Sequence, residues 1–205
     1  MKLYYSKASP FTRKVLMTAA ITGHCESIHI IDFGKTGTFV PSDDFHEKNP
    51  LIKIPALEID NGETIVDSPI ICEYLNDCSK TGLGVYPKHN ELNDYYLARK
   101  LEAIADGMSD AAVLRRYEAM RPEQLRSQDY DQKQKAKIEN GFAFFEKNIN
   151  LLKTDRLMIG EISLLCCLDY LNLRFSEEKW LEKSPALKKW YNSMQSMDPV
   201  KKTAP

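Results

Sequence analysis

The sequence predicts two domains of different class, an α/β half followed by an all-α half. Three observations carry this. Over the first eighty residues, short apolar runs at strand spacing alternate with stripes at helical spacing. Beyond about residue 88 the apolar residues recur only at helical intervals, and the segment between holds Gly82, Gly84 and Pro87 with no apolar period. The 205 residues, 43% hydrophobic and 28% charged, are enough to bury a real core and exclude a disordered or collagen-like chain.

Residues 3–5 form a short apolar run closed by Ser6, the first strand. Residues 10–22 then place Phe11, Val15, Leu16, Ala19 and Ala20 on one helical stripe, and Gly23 stops it. Ile28 and Ile30 alternate with Ser27 and His29, giving a second strand and a βαβ piece. Residues 32–49 are rich in Gly, Ser, Asp and Thr and read as an irregular connection or a weak short helix. Residues 55–59 and 63–66 are apolar runs joined by Asp60-Asn61-Gly62, a strong hairpin signal. Asp67-Ser68-Pro69 opens a helix, with Ser68 suited to the N-cap and Pro69 to the first helical position. The domain boundary falls in the Gly- and Pro-containing stretch, giving units of 1–78 and 88–205.

In the second unit Leu97, Leu101, Ile104, Ala105, Met108, Ala111 and Ala112 share a face, and Ile138, Phe142, Phe145, Ile149 and Leu152 step by four and three. Ile162, Leu165, Leu168, Leu171 and Phe175 mark a third helix, nearly apolar all round and therefore central. Ser184-Pro185 opens a last one presenting Leu187, Trp190, Tyr191 and Met194.

Composition excludes several functions. A formal net charge of −1 leaves no global pull toward nucleic acid. No window of about 18 apolar residues is long enough for a membrane span, and the first twenty residues carry too many charges for a signal peptide. Five cysteines, an odd number without a C-x-x-C, point to a reducing, cytoplasmic setting rather than to disulfides or zinc. His24, His29, His46 and His89 lack metal-ligand spacing and are expected at the surface or half buried, so no metal is expected.

Three local features bear chemistry. Ser9-Pro10-Phe11-Thr12-Arg13 sets a hydroxyl at the start of the first helix, where free N–H groups favour an anion such as a thiolate, although Ser9 taken alone reads as an ordinary N-cap. Lys53-Ile54-Pro55 places proline at the start of a strand, where it would turn the Ile54 N–H and C=O outward for an extended peptide; alone it reads as an edge-strand start. Asp67-Ser68 can hold an ammonium and a carboxylate, the two ends of an α-amino acid, although the isolated pair reads as a cap.

Together and in this order they resemble the cytosolic glutathione S-transferase family, in its bacterial, serine-type form. Ser9-Pro10-Phe11 with Arg13 is similar to the family's S-P-[FY]-x-x-[RK], residues 49–55 to N-P-x-G-K-[VI]-P, and residues 67–75 to [ED]-S-x-A-I-x-x-Y-L; residues 101–107 and 169–174 resemble helix segments of bacterial members. The resemblance covers essentially the whole chain. It implies a thioredoxin-like domain followed by a helical bundle, a homodimer, and glutathione as cosubstrate with a small electrophile. It also implies that Ser9 donates a hydrogen bond to the glutathione sulfur, that Ile54 ahead of a cis Pro55 pairs with the cysteinyl unit, that Asp67 and Ser68 hold the γ-glutamyl group, and that Phe11 and Lys53 line the pocket. The electrophile is expected near Phe11 and the helix holding Met108 and Ala112.

The chain departs from the pattern at three places. Ile52 stands where the family has Gly, and a β-branched residue tolerates positive φ poorly, so the backbone before Lys53 is expected to differ. Asp67 is shorter than the commoner Glu. Met158-Ile159-Gly160-Glu161 lacks the hydroxyl of the family's [ST]-x-x-D cap.

The leading reading is conjugation of glutathione to small electrophiles. Glutathione-dependent reduction or peroxidase activity is the alternative; a dithiol cycle cannot run at Ser9-Pro10-Phe11-Thr12, which lacks sulfur. A non-catalytic module that binds partner proteins is the third.

Overall fold

The computed structural model describes residues 1–34 and 40–204. Four strands, β1 (Lys2–Tyr5), β2 (His29–Asp32), β3 (Ala56–Glu58) and β4 (Thr64–Ile65), form one mixed sheet in the order β2-β1-β3-β4. β1 pairs parallel with β2, which the intervening helix α1 (Pro10–Thr22) makes possible, and antiparallel with β3. Period-two alternation sorts β1 and β3. Leu3 and Leu57 face the main core under α1 and α3 (Ser68–Asp77), while Tyr4 and Ala56 face Phe45 of the short helix α2 (Phe45–Lys48).

The α1 limits are those the sequence predicts: Ser9 caps one end, and Gly23 at φ 78 closes the other in the left-handed region that only glycine adopts freely. The hairpin at residues 60–62 is present, with Leu57 opposite Ile65 and Gly62 N–H donating to Ile59 C=O at 2.9 Å. Other elements move. A 3₁₀ turn over Cys25–Ser27 takes up residues expected to begin β2, which therefore starts at His29, paired with Lys2. Asp67, not Ser68, is the N-cap of α3 and accepts from the Ser68 N–H, so Ser68 is its first residue. α2 supplies the short helix within 32–49, of which positions 35–39 lie outside the described residues.

The second half holds α4 (Leu92–Met120), α5 (Gln128–Lys147), α6 (Ile159–Arg174), α7 (Pro185–Met194) and α8 (Asp198–Lys202), the last unforeseen. α6 is buried on all sides from Ile159 to Leu168, as its composition requires, and reaches solvent at Asn172 and Leu173. It runs parallel to α4, since Gly160 lies against Leu101 at one end and the Arg115 guanidinium sits over the Phe175 ring at the other. A Cβ on Gly160 would come within 2.6 Å of Leu101 Cβ, so only glycine permits this approach. At the head of α6 no side chain among the described residues caps the first-turn N–H groups, and Glu161 supplies the reciprocal half of the box, accepting from the N–H groups of Met158 at 3.2 Å and Lys153 at 2.8 Å. Trp180 and Trp190 are core residues, and His24 is buried against Thr22 rather than half exposed. No helix among the described residues is long and apolar enough to cross a membrane.

Glu58 ties α2 to the sheet: it bonds Lys2 at 2.7 Å, the Tyr4 hydroxyl at 3.0 Å and Lys48 at 2.9 Å. The hydrogen bonds from Lys2 and Lys48 hold its carboxyl down at about 2, against 4.5 in an unfolded chain. A depressed carboxyl stabilises the fold above its unfolded value and loses that contribution as pH falls through its folded one. Stability is therefore expected to drop as pH is lowered from about 4.5 to about 2, and Glu58→Gln to flatten that limb; urea unfolding across this range measures it.

Candidate functional site

The sheet topology brings three loops to one end. β1 ends at Tyr5, antiparallel β3 begins beside it at Ala56, and β4 ends at Ile65 beside Leu57. The segments that follow β1, precede β3 and follow β4 hold Ser9, Lys53-Ile54-Pro55 and Asp67-Ser68, so residues up to 59 positions apart in sequence converge. Ile54 and Val66 pack against the same Tyr4, Phe45 and Ala56 cluster, which sets the second and third segments side by side.

Ser9 does act as a cap: its Oγ accepts from the Thr12 N–H at 3.2 Å. That bond uses a lone pair and leaves the hydroxyl hydrogen free, so capping and donation to an anion are compatible. Phe11, on the first turn of α1, is half-buried, and Lys53 is exposed. The Ile54–Pro55 peptide is cis, as the resemblance implies. Asp67 is exposed, whereas Ser68 is buried and its Oγ has no hydrogen-bond partner among the described residues. Such an orphan at a helix N-terminus suits a ligand carboxylate.

Ile52 keeps φ at 52, the conformation that glycine would supply, instead of the altered backbone its side chain predicts. A β-branched residue there costs about 1–2 kcal/mol, so neighbouring bonds must hold it.

Sequence reasoning missed the charges behind the site. Lys14, fully buried one turn into α1, bonds Asp106 at 2.6 Å and Glu102 at 3.1 Å on α4. Burial alone would lower this ammonium, but the carboxylates, Asp106 foremost, raise it above its ordinary value. Burial in turn pushes both carboxyls up against the pull of Lys14. Asp110, one turn further along α4, lies near Asp106, Asp67 and Lys53; loss of water and the two aspartates raise it. No hydrogen bond or ion pair to a described residue engages Asp110. The α4 face turned to the site thus runs through 106 and 110 toward Val113 and Tyr117. Met108 and Ala112 themselves are core residues of that helix, with Met108 against Gly141.

The chain's own buried thiols are poor nucleophiles. Burial pushes Cys72 and Cys167 up to about 12 and Cys166 higher still. Among the described residues no group of three or more His, Cys, Asp or Glu is arranged to hold a metal ion.

Comparison with known proteins identifies the family. The model of the glutathione S-transferase N-terminal domain matches residues 8–78, and that of the C-terminal domain matches residues 108–198. The chain belongs to the glutathione S-transferase family. An uncharacterised member-like relative, the GST-like protein YibF of Escherichia coli K12, is 30% identical over 213 residues, 100% of this chain and 98% of its own length. A glutathione transferase family member from Pseudomonas fluorescens Pf-5 with bound glutathione is 30% identical and superposes with a TM-score of 0.92 over 100% of this chain and 98% of its own. A second structure from that organism, with bound S-(propanoic acid)-glutathione, has 30% identity and a TM-score of 0.87 over 100% and 99% of the two chains. The sheet half is the family's thioredoxin-like domain and the helical half its C-terminal domain.

Lys14→Ala would leave Asp106 without its cation and Glu102 with Arg99 alone, at 2.9 Å, which is expected to cost about 3 kcal/mol near neutral pH. Both folded carboxyls would then rise further above their unfolded values, a penalty absent at low pH and growing as pH climbs. Denaturant midpoints should therefore differ little from wild type at pH 4 and markedly at pH 7; an equal deficit at both would show that Lys14 only fills space.

Proposed function

We propose that the protein is a glutathione transferase of the serine type, in which Ser9 stabilises the glutathione thiolate for attack on small electrophiles. The carrying observation is the Ser9 hydroxyl, capping α1 through a lone pair while its hydrogen stays available at the positive end of that helix. A thiol of pKa near 8.5 is mostly protonated at pH 7, and only the thiolate attacks. Lowering it by about 2 units requires roughly 2.7 kcal/mol of thiolate stabilisation, which a hydroxyl bond and a helix N-terminus together can supply.

The rest of the tripeptide has matching partners. The Ile54 backbone offers a strand edge to the cysteinyl unit, Asp67 with Asp110 an acidic surround for the γ-glutamyl ammonium, and the unpartnered Ser68 Oγ a donor to its carboxylate. Phe11 and Lys53 flank the same pocket. A relative that holds a three-carbon acid on the glutathione sulfur supports a small electrophile as cosubstrate. All five cysteines are free thiols, which fits a reducing cytoplasm. The units 1–78 and 88–205 would be the binding and helical domains.

We read the active form as a homodimer. The Leu97, Leu101, Ala105 and Met108 stripe and the Ile71, Cys72 and Leu75 stripe are spent on the chain's own core. Leu51, Ile70, Leu92 and Tyr96 remain as large apolar residues facing solvent. Sedimentation should give twice 23.5 kDa, and a monomer at micromolar concentration would refute this part.

Calorimetry with millimolar glutathione should show binding. Ser9→Ala should cost about 1 kcal/mol of stability through the lost cap. With an aryl halide it should also lower kcat/KM by roughly 10-fold and shift the thiolate absorbance titration of bound glutathione upward by about 1 unit, the helix N-terminus still supplying the rest. Lost stability with unchanged conjugation would leave Ser9 a cap alone.

A further inference from the structure

Asn49 is polar yet only 2% exposed, and its carboxamide and carbonyl are engaged by the turn leading to Lys53. Its Oδ1 accepts from the Leu51 N–H at 3.0 Å and its Nδ2 donates to the Lys53 C=O at 2.8 Å. Its own C=O accepts from the Ile52 N–H at 2.8 Å, and its N–H donates to the Phe45 C=O at 2.9 Å, fixing it to the end of α2. Both ends of the five-residue turn are therefore fastened to one side chain, and inside that turn sits Ile52, a β-branched residue at φ 52. The Lys53 carbonyl held by the carboxamide belongs to the peptide whose N–H is that of Ile54. Turning that carbonyl turns the strand edge with it.

We propose that Asn49 is a positioning residue for the tripeptide site, whose carboxamide aims the Lys53-Ile54 backbone and makes isoleucine tolerable at position 52. The proposal rests on the reading of that backbone as the docking edge for glutathione. The residue touches no substrate, and its effect passes entirely through the turn. Glycine at 52 would take the same φ unaided, so the need for the carboxamide must fall when Ile52 is replaced.

Four full-length proteins test this: wild type, Asn49→Ala, Ile52→Gly and the double variant, assayed with glutathione and a saturating aryl halide. Asn49→Ala should raise KM for glutathione about tenfold with kcat within about twofold and an unchanged pH profile of kcat, because Ser9 is untouched. Ile52→Gly should change KM less than twofold, and in that background Asn49→Ala should raise KM only about threefold. An unchanged KM in Asn49→Ala, or the same rise in both backgrounds, overturns the proposal. Should Asn49→Ala fail to fold, Asn49→Asp replaces it, keeping the acceptor for Leu51 and losing the donor to Lys53; the same contrast between backgrounds is required. If wild type gives no heat with millimolar glutathione, the glutathione reading fails by itself. The clamp is then decided by urea unfolding: Asn49→Ala must lower the midpoint more with Ile52 than with Gly at that position, and equal losses refute it.

Discussion

Two adjacent cations of α1 fix the site to the rest of the molecule. Arg13 pairs with Asp169 of α6, which the Tyr191 hydroxyl also engages, and donates to the carbonyls of Thr203 at 2.9 Å and Val200 at 3.3 Å. Lys14 points the other way, to Glu102 and Asp106 of α4. A buried ion pair adds little over well-packed apolar residues, but losing one partner costs several kcal/mol. The arrangement therefore works as a register: sliding α1 by a turn along α4 or α6 would break all three of these ion pairs. Ser9 begins this helix, so its hydroxyl inherits a fixed place relative to α4. The unforeseen α8 belongs to the same device, because its last turn supplies carbonyls that complete the Arg13 guanidinium.

What was legible in the sequence was local. Pro10 and Gly23 bracket α1 because ring closure and positive φ are properties of single residues, and Asp60-Asn61-Gly62 specifies its hairpin for the same reason. Three convergent motifs located the candidate site because each rests on a helix or strand terminus, where backbone groups go unpaired. The Lys14 pairs span 88 and 92 positions and the Arg13 pair 156, and nothing in the separate segments marks those charges as buried. Read alone, Lys14 is a solvated lysine and Asp106 an exposed helical acid. A stripe likewise predicts a buried face but not which neighbour buries it, and for Met108 that neighbour is Gly141 of α5.

Ile52 shows the opposite failure, in which the local rule was right about cost and wrong about outcome. Positive φ at a β-branched residue is unfavourable, and the expected remedy was a different backbone. The chain keeps the backbone because the turn is over-determined from outside: α2 is fastened to the sheet through Lys48, Glu58 and Tyr4, and Asn49 extends that anchorage to Lys53. Strain of this size persists only where surrounding bonds exceed it. Here they begin in the aromatic cluster of Tyr4, Phe33 and Phe45, on the sheet face away from α1.

A chain of net charge −1 can still carry local corners of strong and opposite sign. At the α1 terminus the backbone N–H groups and Ser9 form a positive corner without any cation, suited to a sulfur anion. At the α3 terminus Asp67, Asp106 and Asp110 outnumber the nearby Lys53 and Lys14, a negative corner suited to an ammonium. Because Lys14 is consumed by Asp106 and Glu102, Asp67 and Asp110 are offset mainly by the exposed Lys53 and keep an acidic excess. A ligand cation there gains most where water is partly excluded and counter-charge is lacking. The two corners have opposite sign, and α1, pinned by Arg13 and Lys14, holds the positive one in fixed register with α4, which carries part of the negative one. Two corners of opposite sign would suit a zwitterion, and total charge is the wrong scale on which to look for such a site.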